Sequence, residues 1–565
     1  MRATEHRFSE CDLTFVSMKR DVSFPPFTPT SGELIKQAAQ KYGDKTFVVL
    51  EDRRLSFNDV ERESALLARG LLASGAGKGT RVALLAPNSP DWIIGWLAAT
   101  RIGCVVALLN TYSKARELSY TLRHCDAQVA LMVDGHLGHD YLERMEQVAP
   151  SIAGQKNEHL YIDELPYLRS VWTWGPQAPR SWNAPVRDLT LRADQVPLSV
   201  FEAIEAEVSP ADPMVVIYSS GSTADPKGAI HSHGPAVRHA YNLWQMRDIT
   251  SDDVLYTPMP LFWVGGMSFT LVAALHAGAT LVFENQFDPP QTLALVERER
   301  ITQVLGWPHM AKALADHPDF KTRDMSSIRT ASSAGAYLLP PHLQEDAMRP
   351  RANSLGMTET LGPHTFDHRD STLTDEQTGS FGPTVPGVQH KIVDPLTGED
   401  CPVGQSGELW IRGYSLMQGL HKRERADVFT PDGWYRSGDG GYFGEDGHFY
   451  FTGRLGDLIK SQGMNITPRD VELALELHPD VVLAFVCGVA VEDNMEKVVA
   501  AVALSPGASV TEDDLKVFVK DEIASYKVPK HIAVFANQTE LPWLDSGKVD
   551  RRALTAQLVE RFSAS

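Results

Sequence analysis

Through the first 150 residues, strand and helix signals alternate in a way that leaves few folds open. Residues 46–51 read as a strand. Ser56 with Asp59 three positions on reads as a capping box, opening a helix that runs to about Ser74 and stops at Gly75. Residues 81–86 read as the next strand. Ser89-Pro90-Asp91 then opens another helix, with Ser as cap and Pro in the first turn, and residues 105–109 return to strand. Chains that alternate like this bury parallel strands between layers of helix. Residues 154–200, rich in Trp, Pro and Arg, carry a poor pattern and are expected to form a surface excursion. Between 407 and 451 the strand-like pieces become short and Gly-punctuated, which suits a small β-rich subdomain. After Gly453-Arg454-Leu455-Gly456-Asp457 come about a hundred residues with their own signals: helices at 470–477 and 512–523, strands at 481–489 and 499–504. The expected fold class is α/β. A large multi-subdomain N-terminal domain, residues 1–454, would combine layered α/β with the β-rich piece. A smaller α+β C-terminal domain, residues 457–565, would follow a boundary near Gly456.

Composition narrows the function. A chain of 565 residues exceeds one ordinary core, so two or more domains are expected. A net charge of −19 argues against nucleic-acid binding, which needs basic surface to neutralise phosphates. The five cysteines are scattered with no CxxC, which points to reduced thiols and no zinc site. The N-terminus lacks an apolar signal core, and Glu5, Glu10 and Asp12 disfavour a mitochondrial presequence. The last residues are not a peroxisomal tripeptide. A cytoplasmic location is expected. Residues 260–283 carry no Asp, Glu, Lys or Arg and are long enough to span a bilayer. They contain Gly265, Gly266, His276 and Gly278, however, and divide into loop, helix and strand, so no integral membrane association is expected.

The chemistry is concentrated in Tyr218-Ser-Ser-Gly-Ser-Thr-Ala-Asp-Pro-Lys227-Gly228, which follows an apolar run at 214–217. Ser219, Ser220, Ser222 and Thr223 supply hydroxyls, Gly221 lets the main chain approach, and Lys227 supplies a point charge. That is the composition of a loop that wraps phosphates. It is not a Walker loop, because Pro226 and Gly228 stand where that motif needs Gly and Ser/Thr.

This stretch resembles the phosphate loop of the adenylate-forming superfamily, which includes acyl- and aryl-CoA synthetases, with Ala224 where Gly is usual. Further stretches resemble that family's other motifs in the same order. Ser333-Ala-Gly335-Ala336-Tyr-Leu is similar to the adenine segment. Asn353-Ser-Leu355-Gly356-Met357-Thr358-Glu359 is similar to the segment in which, by resemblance, Thr358 contacts the α-phosphate and Glu359 holds Mg²⁺. Leu355 stands where an aromatic commonly stacks on the base. In Pro431-Asp-Gly-Trp434-Tyr-Arg-Ser-Gly-Asp439 the resemblance assigns Asp439 to the ribose hydroxyls. The run from Gly453 to Pro468 resembles the hinge motif, with Arg454 on ribose or phosphate and Gly456, Lys460 and Gly463 at the hinge and CoA face. Ser546-Gly547-Lys548 resembles the turn that presents a catalytic lysine, although read alone Lys548 is an exposed lysine. Pro260-Leu-Phe262-Trp263-Val-Gly265-Gly266 resembles a substrate-pocket motif. There Trp263 offers an apolar wall or gate, and the two glycines are expected to leave room.

The resemblance implies an ATP-dependent acid–CoA ligase, with ATP and coenzyme A as substrates and Mg²⁺ as cofactor. An apolar carboxylic acid, fatty or aryl, would be activated through an acyl-adenylate. A carrier-protein thiol or an amine as acceptor stays open, as does a nucleotide-binding pseudoenzyme. The sequence gives no oligomeric state.

Overall fold

The computed structural model describes residues 24–219, 226–306, 308–331, 338–339, 343–344, 351–369, 371–455, 459–461, 464–466, 468–490, 496–523, 527–544 and 548–562. Two sheets organise the N-terminal part. The larger runs in the order Gly419–Leu420, Lys227–Ser232, Pro213–Ser219, Val105–Leu108, Arg81–Leu85, Val129–Val133, Ser170–Trp174, Ala184–Pro185. It is parallel from Pro213–Ser219 to Ala184–Pro185 and antiparallel at the Lys227–Ser232 end. The second runs Thr330–Ala331, Gln303–Val304, Val254–Tyr256, Thr280–Phe283, Thr46–Leu50, Arg53–Ser56.

The strands are near-continuous apolar runs because both faces are covered, as parallel sheets require. Val105–Leu108 is buried at every position. Helix Pro90–Arg101 is almost entirely buried, and Ser89 caps it by accepting from the Trp92 N–H at 3.1 Å. Its last residue, Arg101, is buried as a charge and matched accordingly. Its Nε reaches Glu205 at 2.5 Å, and its terminal nitrogens reach Glu61 and Ser64 at 2.8 Å. A buried guanidinium without such partners would be strongly destabilising. The capping box at Ser56 and Asp59 forms as read, and it starts helix Phe57–Ala73.

Thr46–Leu50 pairs in parallel with Thr280–Phe283 and antiparallel with Arg53–Ser56, so it belongs to the second sheet. One expectation changes. Residues 154–200 are no excursion. Ser170–Trp174 inserts parallel to Val129–Val133, and Trp172 and Trp182 are fully buried. The five-residue strand sits between stretches whose Pro, Gly and Arg residues signal loops and hid it.

Residues 260–283 break into a turn, a π-helix at Met267–Val272, a short α-helix at Ala273–Ala277 and strand Thr280–Phe283. Gly278, at φ +77°, ends the helix. Among the described residues no helix is long and apolar enough to cross a membrane.

Downstream, Val388–Val393, Gly407–Gly413, Tyr435–Phe443 and Phe449–Arg454 form an antiparallel sheet over a core of Val385, Leu409, Ile411 and Phe449. The last segment builds a three-stranded sheet. Val481–Ala490 is antiparallel to Glu496–Leu504, which is parallel to His531–Phe535. Both faces of this sheet carry their own apolar cluster, one with Val471 and Leu515, the other with Leu554 and Leu558.

Candidate active site

Strand Pro213–Ser219 and strand Lys227–Ser232 flank the phosphate loop, and their register sets Ser219 opposite Lys227. Ser220, Gly221, Ser222 and Thr223 lie outside the described residues. Gly228 is dictated by packing: a Cβ there would sit 2.8 Å from Val216 Cγ1 and 3.3 Å from the Tyr218 ring. Tyr218 is held in turn by a 2.9 Å hydrogen bond between its hydroxyl and His124 Nδ1. Lys227 is half-buried and forms no ion pair among the described residues.

The segment carrying Thr358 and Glu359 is brought alongside. Leu355–Met357 and Gly362–Thr365 pair as a tight antiparallel ladder, with the 3₁₀ turn Thr358–Thr360 between them. Gly356 is required there, since a Cβ would lie 2.6 Å from the Gly362 carbonyl carbon. The turn is fastened from two sides. His231 Nε2 donates to the Thr358 carbonyl at 2.8 Å. The Met417 N–H donates to the Glu359 carbonyl at 2.8 Å. Nearby, burial followed by the Glu359 charge holds the Tyr435 phenol well above its usual range.

Asp439 completes the cluster from strand Tyr435–Phe443. It is 2% exposed and pairs at 2.7 Å with Nε of Arg454, which lies opposite it in the neighbouring strand. Burial pushes its carboxyl up to about 6; Arg454 pulls the other way, and the charges of Glu359 and Glu408 add to the rise. The electrostatics therefore put Glu359, Tyr435, Asp439 and Arg454 in one place, although they come from two segments far apart in the chain.

This donor set fits a magnesium ion that arrives with phosphates. Among the described residues no group of three His, Cys, Asp or Glu could hold a metal unaided. Mg²⁺ commonly binds through one or two carboxylates and takes phosphate and water oxygens for the rest.

On the acyl side, Phe262 is buried and Trp263 half-buried. Their rings meet edge-to-face at 5.5 Å, and Tyr112 lies 6.0 Å from the first and 6.4 Å from the second. Asn88 clamps the loop by donating to the Met259 carbonyl at 2.8 Å and accepting from the Leu261 N–H at 2.7 Å. The two glycines differ. A Cβ on Gly265 would meet only Met259 Sδ, at 3.5 Å, so space is left there. At Gly266 a Cβ would be 2.1 Å from the Pro260 carbonyl oxygen. Gly266 opens no room; it lets the helix start press against its own loop.

The remaining residues divide. Ser333, Gly335, Ala336, Gly456 and Gly463 lie outside the described residues. Lys460 sits in strand Ile459–Ser461. Lys548 is exposed; its carbonyl accepts from the Leu544 N–H at 2.8 Å, next to a bridge between Trp543 and Val549. No hydrogen bond or ion pair among the described residues joins Lys548 to Lys227, Glu359 or Asp439. Sequence reading missed His231, Tyr435, Met417, Asn88 and Tyr112. His231 and Tyr435 were within reach of it, because each sits inside or beside a motif already singled out.

Known proteins match along nearly the whole chain. The family model described as AMP-binding enzyme matches residues 35–421, and the one described as AMP-binding enzyme C-terminal domain matches residues 470–548. Acyl-CoA ligase SID4 of Ajellomyces capsulatus is 32% identical over 551 residues, covering 93% of this chain and 90% of its own. Medium-chain acyl-CoA ligase ACSF2, mitochondrial, of Mus musculus is 30% identical over 557 residues, covering 94% and 88%. Among solved structures, anthranilate CoA ligase AuaEII in complex with anthranoyl-AMP superposes with a TM-score of 0.77 at 23% identity, over 97% of this chain and 100% of that one. ATP-bound MatB from Rhodopseudomonas palustris gives 0.76 at 24%, over 94% and 100%. These two structures establish the shared fold.

Proposed function

The chain belongs to the AMP-binding enzyme family, and from that premise we infer that it is an AMP-forming acid–CoA ligase. A carboxylate oxygen attacks the α-phosphorus of ATP, the bond to the β-phosphate oxygen breaks, and pyrophosphate leaves. The acyl-adenylate is a mixed anhydride. The coenzyme A thiol then attacks its carbonyl carbon, forming the thioester and releasing AMP and the thiol proton.

The observation that carries this reading is the convergence of Glu359, Asp439 and Arg454 beside the strand that begins at Lys227. Lys227 and the hydroxyls from Ser219 to Thr223 bind the phosphates, and Thr358 donates to the α-phosphate. Asp439 accepts from the ribose hydroxyls, a task suited to a carboxylate. Arg454 holds Asp439 in place and adds positive charge at the nucleotide. Residues 333–336 and 355–357 flank the base. Bound Mg²⁺, held by Glu359 together with ATP, would offset charge on the phosphates. Lys548 would bridge the carboxylate and the α-phosphate as negative charge moves toward pyrophosphate, an electrostatic contribution of the kind that dominates phosphoryl transfer. We divide the chain at Gly456 into domains 1–454 and 457–565. Rotation of the smaller about that hinge, with Lys460 and Gly463, would withdraw Lys548 and admit the thiol while keeping water from the anhydride.

The acid is apolar, because Phe262, Trp263 and Tyr112 give the pocket loop an aromatic wall and Gly265 leaves space beside it. Pyrophosphate exchange into ATP, scanned over fatty and aryl acids and followed by addition of coenzyme A, tests the assignment. Exchange that requires an apolar acid, with thioester formed only when coenzyme A is supplied, is expected. Nucleotide binding without exchange for any acid would mark a binding-only protein. Exchange with transfer to an amine or a carrier thiol, and none to coenzyme A, would reassign the acceptor.

A further inference from the structure

Strand Lys227–Ser232 alternates, so Lys227, Ala229 and His231 share a face. The imidazole of His231 is completely buried, and its Nε2 lies 2.8 Å from the Thr358 carbonyl oxygen. A carbonyl only accepts, so Nε2 carries the proton. Burial pushes the ring down to about 4, so it is neutral and Nδ1 bears a lone pair. That Nδ1 is buried and has no partner among the described residues. Leaving a buried polar atom unpaired is costly, and an aliphatic side chain would fill the same space without that cost. The position retains an imidazole that makes one hydrogen bond, and that bond lands on the residue next to Glu359.

The neighbouring bonds show what it adds. The Gln418 N–H donates to the Ile230 carbonyl at 2.8 Å, and the His421 N–H donates to the Gly228 carbonyl at 2.8 Å, so the strand is fixed to the segment around Met417. The Met417 N–H holds the Glu359 carbonyl. The His231 bond joins the Thr358 turn directly to the strand that begins at Lys227. It therefore sets how far the Thr358 hydroxyl and the Glu359 carboxylate stand from the Lys227 ammonium.

We propose that His231 is a positioning residue for adenylation: its Nε2–H bond to the Thr358 carbonyl fixes the Thr358–Glu359 turn relative to Lys227, so that hydroxyl, carboxylate and ammonium meet the ATP phosphates in register. This rests on the adenylation reading above. The aliphatic variant H231L removes the donor. The amide variant H231Q keeps an N–H that can reach the same carbonyl.

In the full-length protein, calorimetric titration with MgATP is expected to show about tenfold weaker binding for H231L, the order for a buried acceptor that loses its donor. KM for the acid should stay within about twofold in the same variant, because the acyl loop is held separately by Asn88. H231Q should recover MgATP affinity to within about threefold of wild type. Wild-type affinity in H231L, or equal weakness in H231Q and H231L, would overturn the assignment, the second because packing alone would then explain the loss. Should H231L fail to fold, histidine-labelled NMR of the wild-type protein, with the His231 signal identified by its absence in H231Q, still decides. A ring protonated at Nε2 supports the assignment, and one protonated at Nδ1 refutes it. A wild-type protein that binds no MgATP would instead remove the adenylation reading itself.

Discussion

Asp439 is a carboxylate kept where the fold would rather have a neutral group, and replacing it with Asn should separate stability from function. Burial raises its carboxyl from an ordinary 3.8 to about 6, even with Arg454 at 2.7 Å. The folded state therefore binds the proton more tightly than the unfolded chain does. Its contribution to stability is largest at low pH and is lost as pH rises from about 4 through about 6. A shift of roughly two units is worth about 3 kcal/mol at pH 8, where both states are ionised. D439N cannot ionise, so the ligand-free protein should gain up to about 3 kcal/mol at pH 8, about half that at pH 5, and little near pH 4. Asn offers one uncharged acceptor to the ribose, so MgATP affinity should fall by about ten- to a hundredfold. Denaturant melts of both proteins across this pH range, with and without MgATP, measure each effect. A D439N protein less stable than wild type at pH 8, or a gain that does not change with pH, would refute the reasoning. So would undiminished nucleotide affinity.

Three further outcomes are expected. K548A should lose about a hundredfold in acid-dependent pyrophosphate exchange while binding MgATP within a few-fold of wild type; unchanged exchange would remove Lys548 from its role. N88A breaks two hydrogen bonds to the pocket loop. It should destabilise the protein by about 1–3 kcal/mol in a denaturant melt and raise KM for the acid rather than for ATP; a melt and KM matching wild type would count against the clamp. Burial pushes the Cys104 and Cys125 thiols up to about 12, so they should resist a maleimide in the native protein while the less buried Cys401 and Cys487 react. Peptide mass spectrometry after timed labelling reads this, and early labelling of Cys104 would contradict it.

Much of this arrangement was legible in the chain because its parts are local. The capping box at Ser56, the helix start at Ser89 and the strand ahead of the phosphate loop are each set by neighbouring residues, and the structure contains all three. The motifs around Glu359 and Asp439 are contiguous strings, so they could be found without knowing that they meet. What holds them together was not legible. His231 reaches a carbonyl 127 residues away, and Asn88 clamps a loop 171 residues away. No spacing rule connects such pairs, because their proximity comes from sheet order. The segment at 154–200 misled for a related reason: Trp172 and Trp182 are buried among residues from other parts of the sequence, and Trp182 lies in a turn outside any helix or strand.

The most direct test of the account follows the oxygen atoms. If a carboxylate attacks the α-phosphorus, an acid labelled with ¹⁸O in its carboxyl group, turned over with ATP and coenzyme A, must leave one labelled oxygen on AMP when the thiol cleaves the anhydride. Mass spectrometry of the nucleotide should show singly labelled AMP in step with thioester formation, and unlabelled pyrophosphate. Label in inorganic phosphate or pyrophosphate, with AMP unlabelled, would place the attack on a different phosphorus and contradict the assignment.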